Sequence, residues 1–134
     1  MSYSLDIKHN NLLSITFGVI IGMFVTLLSL FIFSILYTYV DIPEYYNAIF
    51  ATISLIIGSF SGGMFTVSKI NEKGYLFGSL VGLIIFLIVF LFSAFISKNS
   101  VTLTTVFHFL ASVISGCISG IIMANKETNK KYLR

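Results

Sequence analysis

Few side chains in this chain are of a type and spacing that could do chemistry. Asp41 and Glu44 are two carboxylates three positions apart, with Ile42 and Pro43 between them. Such a pair can act as acid and base, or hold a cation. At the start of a helix, with no further ligand nearby, the same spacing makes a capping box. Asp41 then accepts from the amide of Glu44, and Glu44 reaches back. Pro43 falls in the first helical turn, where its missing N–H is not needed. The cap is the expected role. His108 is the ionisable candidate inside an apolar run, in the stretch VFHFL. It could touch a ligand or sense pH. The simpler expectation is a neutral imidazole bonded to a Ser, Thr or Tyr of a neighbouring helix. Cys117 stands alone, so it forms no intramolecular disulfide and has no metal-ligand spacing. It is expected to be a small packing residue.

The remaining signatures of catalysis are absent from the sequence. It has no HExxH, no paired Cys/His set, no Walker loop and no serine elbow. No Asp, Glu, Lys or Arg falls at mid-depth of an apolar run, which opposes an ion-coupled carrier. No catalytic residue, metal or cofactor is therefore expected, and the chain is read as no enzyme. Hydroxyls are plentiful, Thr26, Ser59, Thr66, Ser112 and Ser115 among them. They can bond back to their own helix or line a polar path.

The elements that must position these residues are set by composition. Apolar residues make up 57% of the 134 and charged residues 10%. A soluble domain with about 25% charged residues has polar surface to spare, and this chain has not. A bilayer removes the difficulty, because lipid tails solvate apolar side chains. Four apolar runs are predicted as spans, about 12–40, 45–68, 75–97 and 101–124, in one membrane domain covering 1–134. The segments 1–11 and 125–134 read as polar tails. In lipid only helices or closed barrels satisfy the backbone, and these runs are too long and uniform for barrel strands. The expected fold is all-α: an integral membrane four-helix bundle, up-down-up-down. Tyr37, Tyr39, Tyr45 and Tyr46 around the first turn suit an interfacial aromatic belt.

Basic residues indicate orientation. Lys8, Lys69, Lys73, Lys126, Lys130, Lys131 and Arg134 fall on the side of the tails and second turn, and Lys98 alone falls on the other. That bias predicts both termini in the cytoplasm.

The glycines recur at intervals of four. Gly18 and Gly22 lie in span one, Gly58 and Gly62 in span two, with Gly63 beside them. Gly74, Gly78 and Gly82 lie in span three, and Gly116 and Gly120 in span four. This spacing puts them on one helix face, where backbones can approach closely. All ten fall in the half of the spans nearer the tails. The expected bundle is narrow there and bulkier, with an opening, in the other half.

Phe17-Gly18-xxx-Gly22, Leu36-Tyr37, Glu44-Tyr45-Tyr46, Gly62-Gly63, Lys73-Gly74-Tyr75-Leu76-x-Gly78-xxx-Gly82, His108-Phe109 and Gly116-xxx-Gly120-Ile-Ile together resemble the YrzE-like family. Those are small four-helix membrane proteins of Gram-positive bacteria with no assigned function. The resemblance implies the same fold and topology, in a bacterial cell membrane, and brings no catalytic residues. The functional expectation is a non-enzymatic accessory subunit or scaffold working through helix–helix contacts. A small channel, permease or lipid-handling protein is the alternative, and a holin-like pore former the third. The expected partners are the lipid bilayer and another membrane protein or a second copy of the chain, with no nucleic acid.

Overall fold

The computed structural model describes the backbone of residues 2–70, 73–98 and 101–132, with side chains from 9 to 126 and at 129 within those ranges. The polar centre of the second turn (71–72), residues 99–100 of the third, and the side chains of Lys8, Lys130, Lys131 and Arg134 lie outside the described residues. The chain is all-helical there. Helix α1 spans Ser2–Tyr39, α2 Asn47–Ile70, α3 Gly74–Ile96 and α4 Leu103–Tyr132. All four are long and apolar enough to cross a membrane.

Helices α1 and α4 overrun their apolar segments. The polar residues 2–11 and 125–132 are helical. Neither stretch contains Pro or Gly, and extending an existing helix adds one hydrogen bond per residue fixed. At 1.5 Å per residue α1 is about 57 Å long.

The first connection differs from the expected capping box. Pro43 occupies the N-cap position with φ −58° and ψ 144°, and no side chain caps the turn. A short 3-10 turn, Glu44–Tyr46, leads into α2. The Pro43 carbonyl accepts from the Tyr46 N–H at 3.1 Å and the Tyr37 hydroxyl at 2.9 Å. With Pro43 one position earlier than a helical first residue, Asp41 is out of register to cap. At the other end, Lys73 precedes α3 in the left-handed region, φ 40° and ψ 54°. A side chain there costs about 1–2 kcal/mol. Its carbonyl nonetheless accepts from Leu76 and Phe77, opening the helix.

The packing is that of a membrane protein. Large apolar side chains such as Phe24, Phe31, Phe92 and Phe95 point outward, Phe95 being 93% exposed. The fully buried positions are mostly small or hydroxylated, among them Ser54, Ser59, Thr66, Ser112 and Ser119. In water the arrangement would be reversed. In lipid, association rests on close contact between small residues and on interhelical hydrogen bonds.

Two pairs of helices carry most of that contact. Helix α1 packs along α2, and α3 along α4. Helix α2 also packs on α4 and α3, whereas α1 meets α3 only slightly and α4 not at all among the described residues. A Cβ added at Gly22 would lie 2.8 Å from the Gly58 carbonyl oxygen, and one at Gly58 2.8 Å from the Gly22 oxygen. Gly18 and Gly62 oppose each other in the same way, at 2.9 and 2.7 Å. On the other pair, Gly78 faces Gly116, Gly74 faces Gly120, and Gly82 faces the Ser112 carbonyl. Gly63 joins the pairs by facing Gly116 and Ser119. Each of these approaches leaves no space for even a methyl group.

Hydroxyls stitch the same half together. Ser112 Oγ donates to the Gly82 carbonyl at 2.7 Å, so its contact with Ser59 Oγ, also 2.7 Å, takes its hydrogen from Ser59. Ser115 donates across to the Ile56 carbonyl at 2.8 Å. Among the described residues no buried side-chain polar atom lacks a partner.

Candidate functional site

The glycine stripes stop at Gly22, Gly58, Gly82 and Gly116, reading toward the lysine-poor end. Beyond them the helices can no longer touch backbone to backbone. Several positions there are small as well: Ala51 on α2, Ser93 and Ala94 on α3, and Ser97 just past the end of α3. Helices held apart with short side chains between them leave a space, and a cavity of about 350 Å³ lies there. That is within the size range of small-molecule sites, about 300–1,000 Å³.

All four helices line it. Leu30, Leu55, Phe86, Val89 and Phe90 form an apolar lower part. Ser93, Ser97, Thr102, Thr104, Thr105 and His108 form a polar upper part. The rim, at Ser97, Val101 and Thr102, is exposed. The floor residues Thr26 and Leu55 are each 3% exposed. From Ser97 to Phe86 along α3 is about 16 Å at 1.5 Å per residue. Phe86 is fixed by an edge-on contact with Phe109 (centroids 5.2 Å) and by stacking on Phe90 (5.8 Å). One helical turn before Gly82, toward the lysine-rich end, Gly78 and Gly116 lie in backbone contact, so the cavity is blind.

His108 sits in the polar part, half-buried. Its Nε2 lies 3.3 Å from the Ala48 carbonyl oxygen on α2. The partner is thus a backbone carbonyl, not the Ser, Thr or Tyr hydroxyl expected from sequence. A carbonyl only accepts, so Nε2 carries the hydrogen, and in the neutral ring Nδ1 is left as an acceptor. Asp41 and Glu44 are exposed and contribute nothing to the lining. Cys117 is half-buried on α4. Among the described residues no cluster of His, Cys, Asp or Glu could hold a metal ion.

The ten glycines therefore meet other helices of the same chain, and they form the closed half rather than the cavity. Sequence reasoning missed Ala51, Ser93, Ala94, Thr104 and Thr105 as lining residues. The available signal was local. Ser93 and Ser97 are four apart, with the small Ala94 between them, amid Leu and Phe at the end of α3.

No curated protein and no solved structure matches the chain. Residues 11–123, which cover most or all of each of the four spans, match the family described as Protein of unknown function (DUF3792). This multi-pass membrane protein belongs to that family.

Proposed function

We propose that the protein is a non-enzymatic binder of small amphiphiles in a bacterial cell membrane, the Gram-positive type that its resemblance implies. It takes the ligand into the blind cavity from one side of the bilayer. The observation that carries this reading is the gradient within the cavity, hydroxylated at the rim and apolar at the floor. Seven basic residues at the opposite end against Lys98 alone support termini in the cytoplasm and a cavity facing outward. The backbone contacts between Gly22 and Gly58, and between Gly78 and Gly116, speak against a channel or a holin-like pore within one chain.

An accessory-subunit role would need a free surface for helix contact. Every glycine already packs against a helix of its own chain, so a partner would have to seat on the outward Leu and Phe side chains. Purified protein in liposomes is expected to leave ion gradients and trapped dye intact while retaining a bound amphiphile. Sustained flux from the pure protein would overturn the reading.

A further inference from the structure

We infer that the cavity receives an amphiphile whose head is uncharged and forms hydrogen bonds, held by Ser93, Ser97 and Thr104 beside His108. This rests on the reading of the cavity as a ligand site. The reason lies in which hydroxyls are occupied. Along the spans most Ser and Thr side chains have a partner within the chain. Thr26, Thr52 and Thr66 bond back to their own helix, and Ser59, Ser112 and Ser115 bond across to another. Among the described Ser and Thr residues, the hydroxyls with no partner are those of Ser29 and Ser34 on α1 and of Ser93, Ser97 and Thr104; the Tyr39 and Tyr75 hydroxyls, outside the cavity, have none either. Ser93, Ser97 and Thr104 all line the cavity.

Unpaired hydroxyls that are exposed at or within about one turn of the helix ends, as Ser93, Ser97 and Thr104 are, stay free to bond an incoming head. All three converge with His108 on one space, where Nδ1 of the neutral ring can accept. They are suited to a head that both donates and accepts. The lining contains no Asp, Glu, Lys or Arg. An ionised head drawn into it would lose its hydration and meet no Lys or Arg among the lining side chains. Leu30, Leu55, Phe86 and Phe90 below would then take part of an alkyl chain. A monoacylglycerol-type lipid has this chemistry, and a fatty alcohol has a smaller version of it.

Native mass spectrometry of the full chain in phosphatidylcholine nanodiscs, with monolauroylglycerol and dodecyl phosphate as probes of equal chain length, tests the inference. The glycerol probe is expected to bind about tenfold more tightly. Removing two cavity hydroxyls, as Ser93→Ala with Thr104→Val, should weaken it about tenfold, at roughly threefold per hydrogen bond. Ser29→Ala with Ser34→Ala removes two free hydroxyls outside the cavity and should change nothing. Ala51→Phe, which fills the space, should abolish binding of both probes. If both bind equally and only Ala51→Phe matters, the cavity is a chain site and the uncharged-head inference is wrong. If Ala51→Phe leaves binding intact, or neither probe binds, the cavity reading itself is overturned.

Discussion

Gly78→Leu is expected to drive α3 and α4 apart and to lower the stability of the bundle by about 3 kcal/mol or more. The cause is backbone meeting backbone. A Cβ at position 78 would strike the Gly116 carbonyl and lie 3.0 Å from the Gly120 Cα. Neither atom can rotate away as a side chain could, so the helices must separate. Separation forfeits the short-range dispersion along the whole seam, which includes Gly74 against Gly120 and Gly82 against Ser112. Gly78→Ala should already show most of the effect, because the first carbon makes the clash. Ser93→Leu is the matched control on the same helix. Its added atoms enter the cavity, and its cost should stay below about 1 kcal/mol. Reversible unfolding in mixed micelles measures all three. Equal destabilisation by Gly78→Leu and Ser93→Leu would refute the account of the seam.

Gly58→Leu is expected to release α1 while leaving α2, α3 and α4 together. The new Cβ would lie 2.8 Å from the Gly22 carbonyl oxygen and would displace Thr26, whose hydroxyl donates to that oxygen at 2.7 Å. Helix α1 has little else to hold it, since it touches α3 lightly and α4 not at all among the described residues. Cysteine pairs placed where rings now meet can follow each seam, in a Cys117→Ala background. Phe33 and Phe50, centroids 5.0 Å apart, report on α1 and α2. Phe86 and Phe109, 5.2 Å apart, report on α3 and α4. Gly58→Leu should reduce crosslinking of the first pair by about tenfold, corresponding to at least ~1.4 kcal/mol, and spare the second. Gly78→Leu should do the reverse. Loss of both pairs in either variant would mean that the bundle has no separable seams.

Most of the architecture was legible because lipid removes alternatives. Four charge-free runs and short connections leave few folds besides a helical bundle. The glycine spacing carried the contact half, since a repeat of four on one face has a direct geometric meaning. The site was less legible. A cavity is made by what helices fail to fill, and small residues such as Ala51 and Ser93 look like any other packing position. His108 was visible as an anomaly, but its partner, the Ala48 carbonyl, is a backbone atom sixty residues away. No side-chain pattern announces such a bond. The capping box was misread for a related reason. Asp41 and Glu44 have the right spacing, but the Tyr37 hydroxyl and Tyr46 N–H anchor the turn on the Pro43 carbonyl instead. The polar tails mark where the apolar spans end, but not where the helices end, because helix continuation depends on the absence of breakers.

The central claim is a cavity that enters from the lysine-poor side and ends at the glycine-packed half. Single cysteines along α3, in the Cys117→Ala background, test it most directly with a membrane-impermeant thiol reagent applied outside intact cells. Ser97→Cys and Ser93→Cys should react, and Val89→Cys more slowly. Ile85→Cys and Val81→Cys, at positions with no exposed surface, should not react. Reaction at Ile85→Cys and Val81→Cys at rates comparable to Ser93→Cys would reveal a continuous aqueous path and contradict the blind cavity.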